Sequence, residues 1–350
     1  MDVKPYLDMM IKHDASDLFF SVGTPVKIKI DGVIRSVGET VLTPDLAKAA
    51  VLSIMNDEQI RKFEDEWEVD FAIAHGKGRF RVNSFHQRGT AGMVLRYIKN
   101  DIPTAEDLKL PSVLPELIMH KRGIILMVGG TGSGKSTTLA AMIDHRNKNS
   151  TGHILTIEDP VEFVHPHQKS LINQREVGVD SKSYHAALKS SLRQAPDVIL
   201  IGEIRERETM EAAIELSGTG HLAISTLHAN NASQALDRII NMFPADLHKQ
   251  LFMDLALNMR AIISQRLIRT VDGKRCAAIE ILVSTPHIAD LIMEGKVDEV
   301  KEAMAESSEG GMQTFDTALF DLYRAERITM DEAIKNADSP ANLEARIHFG

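Results

Sequence analysis

The chain has 350 residues, enough for two hydrophobic cores, and its 43% hydrophobic and 25% charged residues are the balance of a folded globular protein, not of a disordered one. A net charge of -9 argues against a surface built to grip nucleic-acid phosphates, which needs surplus Lys and Arg on one face. The single cysteine, Cys276, excludes an internal disulfide and a four-thiolate zinc site. No apolar stretch approaches 18 residues and the first five residues, Met1 to Pro5, carry no apolar h-region, so neither a membrane span nor a signal peptide is expected.

In chain order, the first hundred residues read as a small α+β unit. Val26, Ile28 and Ile30 alternate with Lys27 and Lys29, the signature of a half-buried strand, and Asp31-Gly32 follows as a hairpin turn pair. Thr43-Pro44-Asp45 predicts an N-cap, a proline at the first helical position and an acid in the first turn. Behind them Leu46, Ala50, Val51, Ile54 and Met55 recur at helical spacing. Strands are expected over 70–98, broken by Gly76-Lys77-Gly78 and by Gly89, with Phe80, Val82 and Ser84 on one face and Arg79, Arg81 and Asn83 on the other. A polar connector with two prolines runs from Asn100 through Pro111 and puts the domain boundary between residues 99 and 113. Beyond it the runs 124–128, 153–157, 198–201 and 222–226 are continuously apolar, as expected of parallel strands covered on both faces. From about residue 231 onward the pattern reads as mostly helical.

The chemistry begins at Gly129-Gly130-Thr131-Gly132-Ser133-Gly134-Lys135-Ser136, which matches the phosphate-binding pattern G-x-x-x-x-G-K-[ST] at every fixed position. The glycines let backbone N–H groups turn inward on phosphate oxygens, and the following helix adds its positive dipole end. Lys135 is expected to reach the β- and γ-phosphates of ATP and the Ser136 hydroxyl to ligate Mg²⁺, with Gly130, Thr131, Gly132, Ser133, Gly134 and Thr137 completing the cradle. Two acidic segments are candidates for metal and water. Glu203 ends the apolar run 198–201 and can hold the metal shell, or merely pair with Arg205. Glu158, Asp159 and Glu162 cluster within five residues, and spacing does not settle which of them orients the attacking water. His221 and His228 bracket the run 222–227; either can sense a γ-phosphate or be a satisfied core histidine.

These boxes, in this order, resemble those of the secretion ATPase superfamily of bacterial type II secretion and type IV pili: the Gly129–Ser136 loop, Ile157-Glu158-Asp159-Pro160-Val161-Glu162-Phe163, Gly202-Glu203, and Gly218-Thr219-Gly220-His221 through His228. Ala15-Ser16-Asp17-Leu18, the segment 78–83 and Gly311-Met312-Gln313-Thr314-Phe315 are similar to the pilus-retraction group, PilT/PilU. The stretch Thr285-Pro286-His287-Ile288-Ala289-Asp290-Leu291-Ile292 lacks the Ala-Ile-Arg motif of the PilT type. With the segments 146–150, 174–177, 192–197 and 243–246, it looks nearer the PilU type. The resemblance implies a RecA-like P-loop ATPase domain over 114–350 with a helical C-terminal part, preceded by a PAS-like domain over 1–99 and a linker over 100–113. It implies that Glu162 activates water, Glu203 is associated with Mg²⁺ and His228 reads the γ-phosphate. It also implies a homo-hexamer in which Arg81 and Arg96 close over the nucleotide, with Arg122, Arg205 and Arg238 as weaker candidates. The implied setting is cytoplasmic, peripheral at the inner membrane through a pilus platform protein and beside a PilT-like paralogue, powering retraction. An accessory ring that assists such a motor by binding is the alternative. A nucleic-acid motor is disfavoured by the acidic charge and by only 5% aromatics.

Overall fold

In the computed structural model, residues 1–30, 32–76, 78–98, 101–307 and 309–349 are described. The expected turn at Asp31 and those parts of the glycine turn and connector that fall on Lys77 and Asn100 lie outside these residues. The chain divides into two compact units, Met1–Asp101 and Ile102–Gly350.

The smaller unit runs α1 (Lys4–Lys12), β1 (Asp17–Phe20), β2 (Lys27–Ile30), β3 (Val33–Ser36), α2 (Pro44–Leu52), α3 (Asp57–Glu66), β4 (Glu68–His75), β5 (Gly78–Gln87) and β6 (Thr90–Ile98). Its strands form one antiparallel sheet in the order β3-β2-β1-β6-β5-β4. Leu7 and Met10 of α1, Val51 of α2 and Phe63 of α3 pack on one face of it, against Leu18, Phe20, Phe80, Val82 and Leu95. The strict alternation of β5 puts Phe80, Val82 and Ser84 inside, and Arg79, Arg81 and Asn83 on the opposite, partly exposed face. Thr43 caps α2 as its sequence predicts, its hydroxyl accepting from the Leu46 N–H.

The larger unit runs α4 (Val113–Ile118), β7 (Gly123–Val128), α5 (Lys135–Asn149), β8 (Gly152–Glu158), β9 (Ser170–Glu176), α6 (Tyr184–Ser191), β10 (Val198–Ile201), α7 (Arg207–Gly218), β11 (Leu222–Leu227), α8 (Ala232–Asn241), α9 (His248–Asn258), β12 (Met259–Arg269), β13 (Arg275–Val283), α10 (Pro286–Met293), α11 (Val300–Glu306), α12 (Phe315–Arg324), α13 (Met330–Asn336) and α14 (Pro340–Phe349). Its sheet has the order β13-β12-β7-β11-β10-β8-β9, parallel except for the β12–β13 pair. Every residue of β7, β10 and β11 is buried, which is why those strands read as unbroken apolar runs. Leu139, Met142 and Ile143 of α5 pack on one face with Leu114 and Ile118 of α4. The other face carries α6 to α11. A separate cluster joins α12, α13 and α14 to Ile268, Cys276 and Ala278.

The reading of residues beyond 231 as mostly helical holds, with one exception, the β12–β13 hairpin that stands among the helices. Residues 261–265 of β12 are buried on both faces, so their apolar pattern has no period to distinguish strand from helix.

Candidate functional site

The loop between β7 and α5 is shaped by glycines that no other residue could replace without strain. Gly132 and Gly134 have φ of 76° and 87°. A Cβ on Gly134 would also stand 2.7 Å from the Gln265 side-chain nitrogen. That nitrogen donates to the Ser133 carbonyl at 2.7 Å, and the Gln265 oxygen accepts from the Thr138 hydroxyl at 2.8 Å. Gln265, on β12, thus supports the loop from beneath. Sequence reading passed over it; the one signal was a polar pair, Ser264-Gln265, inside an otherwise apolar run.

Lys135 opens α5 and is almost fully buried, its Nζ donating to the carbonyls of Gly129 and Gly130 at 2.8 Å each. Burial pulls its pKa down, and the charges of Glu162 and Glu203 oppose that pull. Both carboxylates therefore act on the same ammonium. Ser136 and Thr137 lie half-buried on the first turn of α5, and Gly130, Thr131 and Gly132 stand around the loop.

The three acids after β8 separate in the fold. Glu158 accepts from the Thr156 hydroxyl at 2.6 Å and from the Gln174 amide at 3.3 Å. Burial raises its pKa, with the Glu162 charge adding to the rise. Asp159 is exposed and precedes a cis proline. Glu162 is exposed at its own position yet lines, with Ser136, Glu158, His165, Gly202 and Thr226, a small cavity of about 50 Å³. Glu162 is thus the acid that shares a space with Ser136 without being tied to neighbouring side chains.

Glu203 follows β10 with its side chain 14% exposed. It is ion-paired to Arg205, and the His228 Nε2 stands 3.6 Å away. The fold brings Glu203 and His228 together at the carboxyl edge of the sheet. His221 lies at the opposite end of β11, its Nδ1 facing the Leu216 carbonyl at 3.1 Å. Arg122 precedes β7 and stands at that same amino edge, with its carbonyl accepting from Arg260. Arg238, on α8, donates to the His228 carbonyl at 2.8 Å. Gly129, Gly130, His228, Asn230, Gln234 and Arg238 line an open cavity of about 500 Å³ beside the loop. Tyr184 is a second residue that sequence reading missed. A Cβ on Gly202 would stand 2.6 Å from its hydroxyl, and burial beside Asp159, Glu203 and Glu158 keeps the phenol protonated.

Arg81 and Arg96 belong to the smaller unit, opposite one another on β5 and β6. The Arg81 Nε is 3.9 Å from Asp70, and the Arg96 Nε donates to Asp17 at 2.9 Å.

A model of the family described as type II/IV secretion system protein matches residues 1–337. The type IV pilus ATPase PilU of Pseudomonas aeruginosa is 53% identical, with 100% of this chain and 92% of that one covered. The type IV pilus retractation ATPase PilT of the same bacterium is 42% identical over 98% of this chain and 100% of that one. Among solved structures, the pilus retraction motor PilT with bound ADP superposes with a TM-score of 0.92 at 39% identity, covering 98% of this chain and 99% of that one.

Proposed function

This chain belongs to the type II/IV secretion system protein family, and from that premise we propose that it is a PilU-like, Mg-dependent ATPase whose hexameric ring powers retraction of a type IV pilus. The observation that carries the reading is the loop 129–136, with the Lys135 ammonium folded onto the Gly129 and Gly130 carbonyls and with His228 against Glu203.

The residues present fit a triphosphate. Lys135 already offers its ammonium to two loop oxygens, and glycines admit the loop's curl where a Cβ would collide. Phosphate oxygens replace the Gly129 and Gly130 carbonyls as acceptors, while Gly130 to Thr137 supply amides and hydroxyls around them. Ser136 and Glu203 would hold Mg²⁺, which when bound neutralises charge on the phosphates. Such an ion is carried largely by phosphates and water, so it needs no cage of three protein ligands, and among the described residues there is none. Glu162 lines up the attacking water and takes its proton. His228 reports on the γ-phosphate through Glu203. Arg81 and Arg96 turn from Asp70 and Asp17 to the nucleotide when the ring assembles.

The smaller unit is read as PAS-like, and its swing against the ATPase unit as the working stroke. The setting is the cytoplasm, at the inner membrane through the platform protein and beside a PilT-like paralogue; among the described residues no helix is long and apolar enough to cross a membrane. A second reading, an accessory ring that assists a PilT-like motor by binding, is favoured by α10. There Thr285 caps a helix reading Pro286-His287-Ile288-Ala289-Asp290-Leu291-Ile292, without the Ala-Ile-Arg motif.

Lys135→Ala tests both. ATP turnover by the purified variant is expected to fall by roughly two orders of magnitude or more, since it removes the charge aimed at the transferring group. Unchanged hydrolysis would end the ATPase reading. Retraction measured in cells that retain the PilT-like partner separates motor from accessory: the motor reading expects reduced retraction, and full retraction favours the accessory ring.

A further inference from the structure

Three polar side chains of the β12–β13 hairpin take no part in the chemistry above. Ser264 and Arg266 share one face of β12, and Glu280 stands opposite Ser264 on β13. Glu280 is almost fully buried, and one of its oxygens accepts from the Ala232 N–H at 2.7 Å and the Ser264 hydroxyl at 3.0 Å. Ala232 is the first residue of α8, so a carboxylate from the hairpin grips that helix at its positive end.

Arg266 reaches in two directions. Toward the C-terminus it donates to the Asn336 carbonyl at 2.7 Å, pairs with Asp338 at 2.7 Å, and lies 3.8 Å over the centre of the Phe315 ring. Asp338 also meets Lys301 at 3.3 Å. Toward the site it donates to the Asn230 carbonyl at 3.3 Å. The Arg266 and Asp338 side chains are 26% and 12% exposed, too buried for solvent to screen the pair as it would a surface bridge.

The backbone of the segment 228–232 is held by several side chains. Arg238 takes the His228 carbonyl, Gln234 the Asn230 N–H at 3.2 Å, Arg266 the Asn230 carbonyl and Glu280 the Ala232 N–H. All of these anchors come from α8 or the hairpin. Among them Arg266 is the one that also touches α12 and α13, through Phe315 and the Asn336 carbonyl.

The geometry points to Arg266 as a positioning residue that couples the seating of the C-terminal helices to the loop carrying His228. When Asn336 and Asp338 hold the guanidinium, its remaining N–H fixes the Asn230 carbonyl, and His228 stays beside Glu203. When the C-terminal helices shift, the guanidinium goes with them and the loop is released. Its catalytic consequence rests on the ATPase reading; the mechanical one does not.

Hydrogen–deuterium exchange on the full chain, with ATP turnover on the same samples, tests this for Arg266→Gln and Asp338→Asn. In both variants peptides covering 228–232 are expected to exchange about tenfold faster, while those covering 129–135 keep their rates. The kcat for ATP is expected to fall roughly ten- to a hundredfold with KM within about twofold, as for a displaced group outside substrate binding. The double variant should be no worse than the more affected single one. Asp338→Asn keeps the side-chain volume and leaves Arg266 its packing on Phe315, so it folds even if Arg266→Gln does not, while loss of the ion pair frees the guanidinium from Asn230. Unchanged protection of 228–232, or faster exchange with undiminished kcat, overturns the proposal. If wild-type protein turns over no ATP, the ATPase reading fails, and the exchange rates alone decide the coupling.

Discussion

At the scale of single residues, His165 shows how burial writes a pH dependence into the fold. Its ring is buried in the small cavity beside Ser136, and its N–H main chain donates to Gln174 at 2.8 Å. Burial pushes the imidazole pKa from 6.5 down to about 4, against the charge of Asp144, which raises it. Between those values the unfolded chain binds a proton that the folded chain refuses. Stability is therefore fully present above pH 6.5 and is withdrawn as the pH falls toward 4, by roughly 3 kcal/mol from this group. Urea unfolding of wild type and His165→Gln at pH 7 and pH 4.5 checks it. The variant should show the flatter decline, and parallel declines would refute the assignment. Glu158 illustrates the same physics in a carboxyl, whose pKa burial raises while its hydrogen bonds with Thr156 and Gln174 oppose the rise.

At the scale of elements, β12 organises the larger unit. Gln265 faces the phosphate loop and Arg266 the opposite layer, because neighbours on a strand point to opposite faces. Gln265→Ala leaves the Ser133 carbonyl and the Thr138 hydroxyl without this partner in a buried setting, at about 1–3 kcal/mol each. ADP affinity, measured by titration calorimetry, should drop about tenfold or more; wild-type affinity would show that the loop holds its shape without that strand. The helices and strands were unequally legible. Thr43-Pro44 announced α2, and the runs of β7, β8, β10 and β11 announced parallel strands. The capping box of Asn56 and Gln59 on α3 was equally local but went unread. The β12–β13 pair was hidden by burial on both faces.

At the scale of the whole molecule, the ring reading asks residues of two separate units to serve one nucleotide. The nucleotide loop belongs to one unit, whereas Arg81 and Arg96 belong to the other and are paired with acids there. With Mg²⁺ and nucleotide, light scattering should give the mass of six chains. Arg81→Ala and Arg96→Ala should each lower kcat of the assembled ring by about ten- to a hundredfold, in the range expected for a lost transition-state charge, with ADP affinity retained. Lower melting temperatures with undiminished kcat would instead assign both arginines to their ion pairs with Asp70 and Asp17.

What the amino-acid sequence determined alone was the contiguous chemistry: a glycine loop ending in Lys135-Ser136, short apolar runs that fit covered strands, and the acids and histidines at their ends. These are legible because their physics is local, set by backbone freedom, side-chain period and nearest neighbours. Tertiary structure decided which of those groups meet. It tied up Glu158, left Glu162 beside Ser136, put His228 and not His221 against Glu203, and brought Gln265 under the loop. The Thr138–Gln265 hydrogen bond closes a separation of 127 residues. No local pattern encodes such a contact, because it exists only once the sheet order has carried β12 alongside β7.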